Sequence, residues 1–112
     1  FGEQNTFASD TLDSRFVAGE LEKYCHHVFS RFVQSEFIGF KTIALTVRFF
    51  DFETKTVSKT FAQALLRTDI KRFKLEAFKL LLPFFDIRKN PKLKKIRLLG
   101  IRAENLIMRQ II

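Results

Sequence analysis

Between Thr42 and Phe49 the chain alternates without a break. Ile43, Leu45, Val47 and Phe49 are apolar, and Thr42, Ala44, Thr46 and Arg48 between them are small, hydroxylated or charged. A period of two marks a β-strand with one covered and one open face. Such a strand needs neighbours that share its pattern and a layer packed on one side only. The next stretch, "FDFETKTVSKTF" (50–61), turns around Asp51 and returns as a second strand. That strand carries threonine, serine and lysine where a core strand carries valine and isoleucine. Val57 and Phe61 fit the covered side, which sends Thr56, Ser58 and Thr60 outward. Lys59 shares the covered parity and must snorkel at an edge or sit at a bulge.

The remaining elements follow from their own periods. Residues 3–9, "EQNTFAS", form a short strand in which Gln4 and Thr6 take the parity opposite to Phe7. Asp10, Thr11 or Asp13 then caps a helix from about Ser14 to Ser35, whose apolar residues Val17, Leu21, Tyr24, Val28 and Phe32 form one stripe. Thr68 or Asp69 caps a second helix with Ile70, Phe73, Ala77, Leu80 or Leu81, and Phe84 on its buried side, and Pro83 limits it. "RKNPKLKK" (88–95) is a basic loop broken by Pro91. "IRLLGIRAENL" (96–106) closes as a fourth strand, with Leu99 and Ile101 inward, Leu98, Gly100 and Arg102 outward, and Arg97 at its start. The order β-α-β-β-α-β predicts an α+β fold: a four-stranded antiparallel sheet with two helices on one face and the other face open.

Composition narrows the function classes. The 112 residues read as a single domain spanning 1–112, and fifteen phenylalanines without a tryptophan point to a largely aromatic core. One cysteine, Cys25, forbids an internal disulfide and suits a reducing compartment. The longest apolar run, Leu80–Phe85, is too short to span a bilayer, and no basic-then-apolar leader opens the chain, so a cytoplasmic protein is expected. A start at Phe1 instead of methionine suggests a fragment of a larger protein or a processed chain. Charge is uneven. Residues 1–56 hold 6 Lys/Arg against 8 Asp/Glu, and residues 57–112 hold 14 against 4. The second half therefore favours an anionic partner.

The outward set supplies the chemistry. Small side chains let a phosphate backbone approach the strands, hydroxyls donate to its oxygens, and arginine supplies charge. No platform of stacked aromatics is present. RNA-binding RRM domains share the element order, but they need a basic-Gly-aromatic-Gly/Ala-Phe pattern on the third strand. "KTVSKTF" has no glycine, and its one aromatic is wanted in the core. "CHH" (25–27) invites a metal site, yet consecutive helical residues point about 100° apart and do not converge on one ion. No metal site is expected, and no catalytic nucleophile.

Three blocks, "QNTFASD" (4–10), "TIALTVRFFDFETKTVSKTF" (42–61) and "IRLLGIRAENL" (96–106), occur in order with helices of suitable length between them. Together they resemble the little finger domain of Y-family translesion DNA polymerases (the DinB, or DNA polymerase IV-like, group). The resemblance implies a β-α-β-β-α-β domain whose sheet lies in the major groove of primer–template DNA, independent of sequence, with its helices facing away. It implies that Thr6, Arg48, Thr56, Ser58, Thr60, Arg97 and Arg102 sit at that surface; Lys59, Lys94 and Lys95 complete the expected DNA-binding set. Two departures matter. Gln4 and Asn5 replace an acidic and a basic residue of the family pattern, and Leu98 replaces a position that is basic in some relatives. More of the binding then falls to Arg97, Arg102 and the Lys94–Lys95 loop. The resemblance also implies no catalysis by this piece alone, with Mg2+ held by missing palm-domain carboxylates. Gln110, Ile111 and Ile112 resemble the start of a Gln-led sliding-clamp peptide, although the chain stops before the usual aromatic. A monomer near the nucleoid, with no membrane contact, is expected. The competing reading is a protein-interaction module whose basic surface docks an acidic partner or a clamp.

Overall fold

The computed structural model describes residues 1–109. In chain order it contains β1 (Gly2–Thr11), α1 (Ser14–Val33), β2 (Phe37–Phe49), β3 (Thr54–Leu66), α2 (Ile70–Leu81), a 3-10 turn (Leu82–Phe85) and β4 (Ile96–Met108). The strands form one antiparallel sheet in the order β1-β4-β2-β3. Both helices pack on the same side, as the element order predicts.

Local chemistry sets the boundaries. Asp13 is the N-cap of α1; its carboxylate accepts from the amides of Arg15 at 3.1 Å and Phe16 at 3.3 Å. Asp10, the other acidic candidate, lies in β1 and has a different partner. Asp69 precedes α2 without capping it, and instead accepts from the Leu66 amide at 2.7 Å, closing the β3–α2 turn. Pro83 has no N–H to continue the α-helical ladder, so α2 ends at Leu81 and the chain tightens into the 3-10 turn. Leu81, not Leu80, is the fully buried member of the stripe.

The core lies between the helices and the sheet. Ile43, Leu45, Val47 and Phe49 of β2 meet Val17, Leu21, Val28 and Phe32 of α1 and Phe73, Ala77 and Leu81 of α2 in one buried cluster. Its centre is aromatic. Phe40 meets Phe32 edge-on at 5.0 Å, Phe73 edge-on at 5.4 Å and Phe29 at 6.3 Å between ring centroids.

The strands are longer than the alternation alone predicts, and the reason is a register shift. Phe40 pairs with Leu65 and Thr42 with Thr60, so residues 61–64 of β3 stand against Lys41 alone. Phe61 and Leu65, four residues apart, keep one parity through the bulge and both reach the core, whereas β2 changes parity at Lys41, so Phe40 is buried against the helices although Thr42 two residues on faces outward.

Tyr24 and Cys25 are buried on α1. Burial pushes the Cys25 thiol up to about 12. Burial, reinforced by Glu20, pushes the Tyr24 phenol up to about 12 as well. Both groups keep a proton in the folded protein that an unfolded chain releases at its ordinary value, so their contribution is complete below that value and is lost as pH rises toward 12. The urea midpoint should therefore fall between about pH 9 and pH 11, where thiols and then phenols ionise when exposed. Cys25→Ala should flatten the lower part of that slope.

Candidate nucleic-acid interface

On the side away from the helices, cross-strand register arranges the outward residues in rows. Thr6, Leu98, Arg48 and Thr54 form one row across all four strands; Gln4, Gly100, Thr46 and Thr56 form the next. Gly2, Arg102, Ala44 and Ser58 form a third, and Glu104, Thr42 and Thr60 a fourth. The alternation in β2 thus places its small and hydroxylated half on a continuous surface built from four strands.

The middle of this surface is low. A depression of about 230 Å3 is lined by Gly2, Gln4, Thr46, Gly100 and Arg102, among others. Gly100 is needed there, because a Cβ at this position would lie 2.9 Å from Gln4 Cβ. Hydroxyl groups pair across the strands around it. Thr46 and Thr56 oxygens are 3.2 Å apart, and Thr42 and Thr60 oxygens 2.8 Å apart. The Asn105 amide donates to the Thr42 hydroxyl. Asn105 reaches it because its φ of 57° turns the side chain out of the regular strand direction.

The cations differ in what already holds them. Arg48 donates from Nε to Thr54 Oγ1 at 3.0 Å, which lays the guanidinium along the face with its outer N–H groups to spare. Arg102 has a half-exposed side chain with Nε 3.6 Å from Glu104. Lys95 is exposed, and among the described residues neither it nor Arg48 has an ion-pair partner. Arg97 and Lys94 are engaged. Register shifts by one between Arg48–Leu98 and Phe49–Ile96, leaving Arg97 without an opposite residue on β2. It turns to Asp10, with two contacts of 3.2 Å, and its guanidinium stacks 4.5 Å from the Phe52 ring centroid. Lys94 bonds Asp51 and lies 3.7 Å from Glu53, and this contact holds the Asp51 carboxyl below its usual range. Asn90, 1% exposed, shapes the loop beside it by bonding the Phe84 carbonyl and both backbone groups of Lys94.

Lys59 stands on the other side. It is opposite Ile43, a core residue, with its ammonium 3.2 Å from Glu76 of α2 and 5.1 Å from the Phe61 ring centroid. Its inclusion in the DNA-binding set is therefore corrected: edge position lets the stem snorkel, but the charge is directed to α2. Leu98, on the open side, is nonetheless 5% exposed. Gln110, Ile111 and Ile112 lie outside the described residues. Thr54 and Asn105 belong to the surface and were not in the expected set; Asn105 had one signal, an Asn interrupting the alternation of a strand.

The Cys-His-His run disperses as helical geometry requires. Cys25 is buried, His26 Nε2 is 3.4 Å from the Lys74 ammonium, and His27 Nδ1 is 2.7 Å from Glu3. Among the described residues no three His, Cys, Asp or Glu side chains are grouped to hold a metal ion. Nor is any described helix long and apolar enough to cross a membrane.

Comparison with known proteins adds a family. Residues 1–111 match the family described as "impB/mucB/samB family C-terminal domain". A DNA polymerase IV of Leptospira interrogans is 35% identical over 102 residues, covering 89% of the chain and 27% of that protein. DNA polymerase IV 2 of Methanosarcina mazei is 38% identical over 101 residues, covering 90% of the chain and 25% of that protein. The chain thus spans about a quarter of the length of these curated relatives. Among solved structures, a post-insertion binary complex of Dbh DNA polymerase matches with a TM-score of 0.71 at 17% identity, over 96% of the chain and 29% of the polymerase. The little finger domain of PolIV, in complex with the beta-clamp processivity factor, matches with a TM-score of 0.69 at 15% identity, over 99% of the chain and 95% of that domain. At those identities the structural likeness establishes the fold.

Proposed function

The chain belongs to the impB/mucB/samB family as its C-terminal domain, and from that membership we propose that it is the little finger of a Y-family DNA polymerase, holding duplex primer–template DNA by the backbone on its open sheet face. Residues 1–112 form one such unit of a larger intracellular enzyme. The unit is non-catalytic alone; palm, fingers and thumb would supply the polymerase chemistry and hold its Mg2+.

The observation that carries this reading is the set of cross-strand rows. Small and hydroxylated side chains occupy the middle of the face, while Arg48 and Arg102 stand within it. Phosphate oxygens need donors and close approach, and no base-reading set is required. Thr6, Arg48, Thr56, Ser58, Thr60 and Arg102 make the contacts, with Lys95 at the rim. Arg97 and Lys94, held by Asp10 and by Asp51 with Glu53, act through the shape of the β4 start and loop. Support for a clamp partner comes from the PolIV little finger that matches in fold.

The test is binding of a labelled duplex of arbitrary sequence across a salt series. Log affinity should fall against log salt with a slope of roughly −3 to −6, as expected when several phosphates are neutralised. Arg48→Glu or Arg102→Glu should each weaken binding by about tenfold, one charge-assisted contact's worth, with unchanged thermal unfolding. Binding that ignores salt, or that responds only to changes within Lys89–Lys95, would remove the sheet face from the interface.

A further inference from the structure

Nucleic-acid binding by the sheet leaves unexplained the opposite side of the molecule, where α2 is also basic. α2 carries Lys71, Arg72, Lys74 and Lys79 against the single acid Glu76. An open groove of about 520 Å3 runs between α1 and α2. The α1 side is lowest at Ala18 and Gly19, with Leu21, Glu22 and Cys25 beside them, and a Cβ added at Gly19 would meet nothing within 4 Å beyond its own helix backbone. The α2 wall is large and apolar: Leu75 is 53% exposed and Phe78 38%, and Leu82 continues the line at 40%. With Lys71 these fall at steps of four, three and four, one stripe on a helix. Lys74 and Lys79 lie on opposite flanks of that stripe, and Arg15 stands at the α1 end of the groove. Among the described residues Arg15 and Lys71 have no ion-pair partner.

We propose that this groove docks one amphipathic helix of a partner protein, with leucine-type residues on its inner face and Asp or Glu along both edges. The shape argues for a helix: a flat floor of small residues opposite an apolar wall admits the ridge of a third helix. The charge argues for acidic edges: Lys74 and Lys79 on the two flanks already face one carboxylate each, Glu22 at 3.4 Å and Glu76 at 3.5 Å, and the cations left for a partner are Arg15 and Lys71. The site lies on the helix side of the sheet, so partner and duplex bind at once. The inference does not depend on the function proposed for the sheet.

The probe is a fluorescent synthetic helix of roughly 18 residues, about five turns, with leucines at i, i+3, i+4 and i+7 between glutamates. It is titrated with the 112-residue protein. Two control peptides have the leucines scrambled at equal charge, or lysine in place of glutamate. The amphipathic acidic peptide should bind with a Kd on the order of 10 μM, the range of a single-helix contact, and both controls at least about tenfold more weakly. Gly19→Leu, which fills the floor, and Leu75→Glu, which places a like charge on an exposed wall, should each reduce binding about tenfold while leaving duplex affinity unchanged, and Gly19→Leu should unfold no earlier than the parent because it replaces a mid-helix glycine. Equal binding of the scrambled peptide, indifference to both substitutions, or displacement of the peptide by duplex would overturn the proposal. So would a dimer in sedimentation that Gly19→Leu dissociates, since a second copy would then be the occupant.

Discussion

Replacing Phe40 by alanine is expected to lower the unfolding free energy by about 3–5 kcal/mol, the range for removing a buried phenylalanine. Phe40 should fall at the upper end. It is fully buried, sits on β2, one of the two inner strands, and faces Phe29, Phe32 and Phe73. Edge-to-face pairs add about 0.5–1.5 kcal/mol each beyond area alone, and the three rings come from both helices, so collapse around the cavity would have to move α1 and α2 together. A domain of this length has roughly 6–17 kcal/mol in all, at 0.05–0.15 per residue. Phe40→Ala should therefore lower Tm by about 10–25 °C. Phe40→Leu, which keeps most of the volume, should cost about 1.5 kcal/mol or less. A loss below about 1 kcal/mol for the alanine variant would mean that the aromatic centre repacks freely and that the rings do not couple the helices to the sheet.

The parity of β2 was readable because the residues that decide it are consecutive. Ile43, Leu45, Val47 and Phe49 each report the same side, and their neighbours report the other, so no partner strand is needed to orient them. Lys59 was readable for the same reason: counted from Val57 and Phe61 it had to lie on the covered side, and it does, beside Glu76. What that position meant was not readable, because Glu76 lies 17 residues further along on another element. Wherever the outcome depended on a partner strand, the sequence was silent. Nothing within "FAQALL" shows that residues 61–64 oppose Lys41 alone, or that the strand continues to Leu66. Arg97 is a clearer case. Regular alternation puts it on the parity of Leu99, yet the register shift against β2 sends it to Asp10, which lies 87 residues earlier in the chain. Lys94 is tied to Asp51 across 43 residues. Residue type identified the cations, and only tertiary pairing distinguishes those already neutralised from those open to a phosphate.

That distinction makes the surface a matter of shape as much as charge, and Gly100 is where the two separate. Gly100→Val is expected to weaken duplex binding by about tenfold or more without changing any charge. The new Cβ would stand 2.9 Å from Gln4 Cβ, backbone-proximal on β1 and unable to swing aside. β1 must shift against β4, at about 1–3 kcal/mol for overpacking of this kind. The added methyl groups also occupy the depression bordered by Gln4, Thr46 and Arg102, holding a phosphate away from hydroxyls that act only within about 3 Å. Salt dependence should be nearly as steep as before, since the cations proposed to neutralise phosphates, Arg48, Arg102 and Lys95, are unchanged. Gly19→Ala supplies the contrast. Beyond its own helix backbone and chain neighbours, no atom lies within 4 Å of its new Cβ, and its place inside α1 should give a gain of about 0.5–1 kcal/mol from helix preference alone, with duplex affinity unaltered. If folded Gly100→Val binds duplex as well as the parent does, the backbone never descends onto β4, and the arginines must act from the rim of the face instead of flanking a seat in its middle.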